Sequence, residues 1–383
     1  MNAIGSRAFC AALGAAAAMV LVGPARADLP VETLTVVKSI SAVNRVYVPD
    51  IAINNIQDGK LHVIDGDTGA YQGLIGTGFA GQVKLSHDAK ELYIATSYYS
   101  RGQRGAKTSI VEVWDAATLA FKYEIPISNK RAMALNYKWI LSLSSDGRWL
   151  FVQNATPATS VTVVDLKAKR AVAEISSPGC YGVYPVRSQP NRFGMLCGDG
   201  KVEMVTIGNK GAAKSRSVSE PLFDPDNDAL FIQGEPVGDT YHFVSFTGNV
   251  VSINMGGAKA MAAGRWSMVS DDERDHGWRP GGYQPLALDP ATGNMFVTMH
   301  EGGGEGSHKM PAKEIWSFNL NTGKRTGKLP GHDSTALSTS RDGSKLYVIN
   351  AMKASLVIVN LGGEPKEVGV FQIGTFPSQV ESN

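Results

Sequence analysis

One phrase recurs along this chain and limits what it can fold into. A polar turn of the form S-x-D-G or D-P-x-x-G opens a short alternating strand in LSHDAKELYIAT (85–96), LSSDGRWLFVQN (143–154), FDPDNDALFIQG (223–234), LDPATGNMFVTM (288–299) and TSRDGSKLYVIN (339–350). After a gap comes a second strand that ends in a D-x-x-T-G-like turn: KLHVIDGDTG (60–69), SIVEVWDAATL (109–119), SVTVVDLKAKR (160–170), EIWSFNLNTGK (314–324) and SLVIVNLGGEP (355–365). Period-2 alternation bounded by Asp, Gly and Asn predicts strands joined by hairpin turns, not helices.

Units starting near 45, 85, 143, 181, 223, 286 and 339 repeat at roughly the spacing of propeller blades, about 50 residues. The expected fold is all-β, a seven-bladed β-propeller of four-stranded antiparallel blades that fills residues 28–383 as a single domain. Six or eight blades are the near alternatives, because the units at 181–207 and 223–255 are less regular. Stacked sandwiches give no reason for one phrase to repeat. The stretch DLPVETLTVVKSI (28–40) is expected to begin a strand that closes the ring with the last blade.

Residues 1–27 read as a cleaved signal peptide: Arg7, an apolar run from Phe9 to Gly23, then Ala25 and Ala27 as an A-x-A site. The run is short of the roughly 20 residues that a spanning helix needs, so a soluble, exported chain is expected. Of 37 basic residues, Arg7 and Arg26 lie in that peptide, which leaves 35 against 35 acidic ones. A neutral surface does not favour nucleic acid, whose phosphates call for a basic field. Cys10 departs with the peptide. Cys180 and Cys197 remain as an even pair in an oxidising compartment, which predicts a disulfide, with free thiols as the alternative.

The stretch HEGGGEGSHKMPAKEIW (300–316) tempts two chemical readings. A phosphate cradle would need Gly-Lys-Ser/Thr before a helix, and Lys309 follows His308 instead. A metal site would need His300, Glu301, Glu305 and His308 on one face, and no helix gathers them. The remaining reading is a long loop between strands, a place where binding residues concentrate. DDERDH (271–276) reads as a solvated acidic face, and GWRPGGYQ (277–284) as either a packed turn or an interface anchor. Trp278, Arg279, Tyr283, His300 and His308 are therefore the interface candidates. With no G-x-S-x-G and no H-E-x-x-H, no catalytic residue and no metal is expected in this chain.

Taken together, GWRPGGYQ, HEGGGEGSHKMPAKEIW, DGKLHVIDGDTG, SIVEVWDAATL and the Cys180–Cys197 loop resemble the large subunit of the periplasmic quinoprotein amine dehydrogenases, more the aromatic amine branch than the methylamine branch. The resemblance runs collinearly from NRVYVPD to YVINAMKASLVIVNL. It implies a complex of two large and two small subunits, with tryptophan tryptophylquinone built in the small subunit and none here. It implies that a primary amine is oxidised to aldehyde and ammonia, with electrons passed to a blue copper protein, azurin or amicyanin. It also implies that Phe79, in LIGTGFAGQVKLS, narrows the substrate channel and that Cys180 and Cys197 match the family's intrachain disulfide. The alternatives are a stand-alone exported propeller that binds a ligand or partner, and a propeller lactonase with convergent acids or a metal at its central channel.

Overall fold

The recurring turns close on themselves through side chains. In the S-x-D-G form, the Ser144 hydroxyl donates to Asp146 (2.6 Å) and accepts from the N–H of Trp149 (2.9 Å). Ser86 with Asp88 and Ser340 with Asp342 repeat the arrangement, and these bonds hold the Asp342 carboxyl down at about 2. In the second form, Asp65 Oδ1 accepts from the N–H groups of Asp67 and Thr68, and Gly69 supplies the left-handed residue at φ 74°. Each turn satisfies its own backbone, so the adjoining strands are free to pair.

The computed structural model describes residues 39–40, 43–134 and 137–383. The signal peptide expected at 1–27, and all but the end of the closing strand expected at 28–40, lie outside them. The described strands form seven antiparallel sheets. Blade 1 is built from Arg45–Asp50, Gly59–Asp65 and Tyr71–Gly78, with Glu381–Ser382 as its inner strand. Blades 2 to 7 begin with inner strands at Gln82–Leu85, Leu141–Leu143, Cys180–Pro185, Leu230–Val237, Leu286–Asp289 and Ala336–Thr339. The two irregular stretches are thus blades 4 and 5. Closure among the described residues is made from the far end of the chain: Glu381 and Ser382 pair with Tyr47 and Val46.

Period-2 alternation explains the packing, because alternate residues of a strand face opposite neighbours. Val46 and Val48 pack toward blade 7, whereas Tyr47 packs toward blade 2. Every one of the seven hydrophobic clusters is shared by two adjacent blades in this way. Outer strands are the exposed ones: Arg170–Ser176 is largely solvent-facing, while Trp149–Asn154 in the same blade is buried throughout. Buried glutamines stitch the inner strands together. Gln284 Nε2 donates to the carbonyls of Leu337 (2.7 Å) in blade 7 and Val380 (2.9 Å) beside blade 1.

Cys180 and Cys197 form a disulfide across the first hairpin of blade 4, where they are paired residues of adjacent strands.

Candidate functional site

The inner strands start at one end of the central channel, and antiparallel topology brings the loop after each second strand to that same end. Phe79, Tyr99, Tyr137, Tyr181, Tyr283, His308 and Phe376 all lie in these connections or at their margins. Phe79 is partly buried, and its ring meets Tyr99 edge-on at 6.0 Å. Its turn is unusual: Gly78 (φ 58°) and Ala80 (φ 45°) on either side are both left-handed. The Phe79 N–H donates to Ser97 O (3.1 Å), and the Phe79 carbonyl accepts from Arg131.

Tyr283 stands out because the inner strand of blade 6 is interrupted. Arg279–Pro280 and Leu286–Asp289 both pair with Asn294–His300, and the residues between them leave the sheet. Gly281 and Gly282 make this possible: a Cβ on Gly281 would lie 2.6 Å from Met310 O, and one on Gly282, at φ 121°, would lie 2.5 Å from Thr335 O. Tyr283 then meets Phe376 edge-on at 6.1 Å, with the Lys309 ammonium 6.0 Å from its ring. Burial pushes up the Tyr137 and Tyr181 phenols. Tyr137 is within electrostatic reach of Tyr283, and Tyr181 of Tyr137. The result is a partly buried aromatic arc. Asp50 ties down its end at Phe376, accepting from the N–H groups of Thr375 (2.6 Å) and Phe376 (3.0 Å).

Of the interface candidates, Arg279, Tyr283 and His308 reach this end; Arg279 lies 4.8 Å from the Phe246 ring, and His308 faces the same ring at 6.5 Å. Trp278 and His300 are buried within this chain. Trp278 is 8 % exposed and packs on Trp316 at 5.1 Å, because the GWRPGG turn folds its aromatic into the core of blade 6. His300 is 2 % exposed, and Cβ atoms on Gly281 or Gly303 would lie 2.7 Å from its ring. Burial lowers its pKa, so the imidazole is neutral at pH 7. Of the glycine run, Gly303 lies close against this histidine, while Gly302, Gly304 and Gly306 have open space around them. The loop's other ligand-type groups diverge, with Glu301 paired to Lys313. The acidic stretch becomes a short helix, Asp271–Asp275, capped by Ser270, whose hydroxyl accepts the Glu273 N–H while the Glu273 carboxylate accepts the Ser270 N–H and pairs with Arg325. No group of three or more His, Cys, Asp or Glu side chains among the described residues could hold a metal ion.

The opposite end of the channel holds a cavity of about 340 Å³, lined by all seven blades. Its acids are each tied to a lysine: Glu381 to Lys84 (2.9 Å) and Glu235 to Lys138 (2.8 Å), with Trp139 under both ammonium groups at 6.0 and 5.9 Å. The sequence singled out Phe79 and Tyr283 but gave no sign of Arg131, Asp50 or the lysine–glutamate pairs. Each is one polar residue at a strand end with no motif around it. Only the inner-strand glutamines and charges, set among apolar neighbours, carried a signal.

The family described as methylamine dehydrogenase heavy chain matches residues 42–381. The chain is 28% identical over 348 residues to the methylamine dehydrogenase heavy chain of Methylobacillus flagellatus, covering 88% of this chain and 84% of that one. It is 27% identical over 326 residues to that of Methylorubrum extorquens, covering 84% and 78%. In fold it is similar to a periplasmic gluconolactonase of Pseudomonas aeruginosa, with a TM-score of 0.62 at 15% identity over 88% of this chain and 98% of that one.

Proposed function

This chain belongs to the methylamine dehydrogenase heavy-chain family, and on that premise we propose that it is the large, cofactor-free subunit of an exported amine dehydrogenase. In this reading it pairs, two with two, with a small subunit that carries tryptophan tryptophylquinone, and the complex delivers electrons to a blue copper protein of the azurin or amicyanin type. The quinone supplies the redox chemistry. This chain binds the small subunit over the aromatic arc, and Phe79 narrows the path of a primary amine. The observation that carries the reading is the collinear family match over 42–381; the arc around Phe79 supports it, since partly buried aromatics suit an interface. No helix among the described residues is long and apolar enough to cross a membrane, which accords with a periplasmic location. The relatives matched are named for methylamine, and they do not favour the aromatic branch suggested by the glycine-rich loop; aromatic amines stay in the proposal as substrates to be tried against methylamine.

Purification from the native host tests this. A small quinone-absorbing chain should accompany the large one, and amine oxidation should require both. Amine oxidation by the large chain alone, or its recovery as a partnerless monomer, would overturn the proposal.

A further inference from the structure

We infer that Arg131 is a positioning residue for Phe79, a buried cation that fixes the turn on which that ring stands. The inference rests on the channel reading of Phe79 above.

Arg131 is 2 % exposed, and all its hydrogen bonds go to neutral acceptors. Nη2 donates to Phe79 O, Nη1 to Ala80 O (3.1 Å) and Ala132 O (2.9 Å), and Nε to Ser97 Oγ (3.0 Å). The Ser97 hydroxyl is itself joined to Ser109 Oγ at 2.8 Å, and the Ser97 carbonyl accepts the Phe79 N–H. Both peptide groups flanking the Phe79 side chain are thus anchored from one side.

The charge has no counter-ion: among the described residues no carboxylate lies in ion-pair distance, and the groups that bear on it electrostatically include Tyr99, Tyr98 and the like-charged Lys107. Burial pulls the guanidinium down to about 9, still protonated at neutral pH. A desolvated, unpaired cation is unfavourable in a blade seam that an apolar side chain could fill. What the guanidinium supplies is shape. Its rigid fork can gather carbonyls that diverge because Gly78 and Ala80 are both left-handed, and a lysine ammonium cannot match that spread. Arg131 belongs to blade 3, where it bridges to Asn154, and it reaches across the seam to the start of blade 2. Phe79 is therefore held by a neighbouring blade as well as by its own turn.

The test uses the assembled complex and compares kcat/KM for methylamine and 2-phenylethylamine in Phe79→Ala, Arg131→Met, Arg131→Lys and the double variant Phe79→Ala/Arg131→Met. Phe79→Ala should shift the ratio of the two amines about tenfold. Arg131→Met should shift it in the same direction by about threefold or more, chiefly through KM, with Arg131→Lys in between; the double variant should match Phe79→Ala alone, because both act through one ring. Lys84→Met, which removes the partner of Glu381 at the cavity, should lower Tm without moving the ratio. If Phe79→Ala leaves the ratio unchanged, the channel reading fails and takes this inference with it. If Phe79→Ala shifts the ratio and the arginine variants do not, if the double variant is fully additive, or if Lys84→Met moves the ratio too, the inference alone is overturned. Should Arg131→Met not assemble, Arg131→Lys decides.

Discussion

The two ends of the central channel are made of different chemistry. At the cavity end, polar groups are matched within the chain: turn aspartates are saturated by their own serines, and Glu235 and Glu381 are each paired to a lysine. At the Phe79 end, aromatic rings are partly open, two consecutive glycines break a strand to lift Tyr283, and Ser307 Oγ is buried with no hydrogen-bond partner. The saturation is not complete, since Trp139 Nε1 at the cavity end is also buried without a partner. In the proposed function, the contrast gives the cavity end a part in stability and the Phe79 end a part in recognition.

The comparison breaks most visibly at Asp50. Burial disfavours its ionisation, but hydrogen bonding from His62, Thr375, Ala52 and Phe376 outweighs that and holds the carboxyl down at about 2. Asp50→Ala leaves those N–H groups without their acceptor and should cost about 3 kcal/mol in denaturant unfolding. Because the folded pKa lies below the unfolded value, this stabilisation is present above pH 4 and should fade as pH falls toward 2, by about 2 kcal/mol. Asp50→Asn should flatten that acid limb. Replacing both cysteines by serine should cost up to about 3 kcal/mol, read by the same titration. Blade 4 begins there, so small-subunit affinity should weaken along with it. Lys84→Met strands Glu381 at the cavity end and should cost about 2 kcal/mol while leaving amine kinetics untouched. A change in kcat there would erase the proposed division of duties. The smallest effect belongs to Glu301→Gln on the glycine-rich loop: its ion pair with Lys313 is solvent-exposed, and Tm should not move measurably.

The ring was legible in the sequence because blades announce themselves locally, through serine–aspartate turns and two-residue alternation. Even blades 4 and 5, whose turns are irregular, kept the alternation that places Tyr184 and Tyr241 in one shared cluster. What was hidden depends on distance along the chain. Arg131 and Phe79 are far apart in sequence, as are Asp50 and Phe376, and neither pair has a local pattern to betray it. Sequence leaves Trp278 open because a tryptophan on a Pro-Gly turn looks the same whether it points outward or, as here, onto Trp316. The glycine-rich stretch reads as a loop between strands, but the close approach of Gly303 to His300 within it has no signature in the spacing.

Sharing every core between two blades makes the propeller a hoop, with the seam at Glu381–Ser382 as its clasp. For a chain threaded through a membrane from its N-terminus, the clasp follows every other blade across. The first blade must wait, with Tyr47 and Val46 unpaired along one edge, until the last has arrived. If the chain is exported as proposed, its ring would close only after the C-terminus had crossed, and late closure would keep it threadable. The same wait defines when it is most exposed to proteases and to the wrong partner.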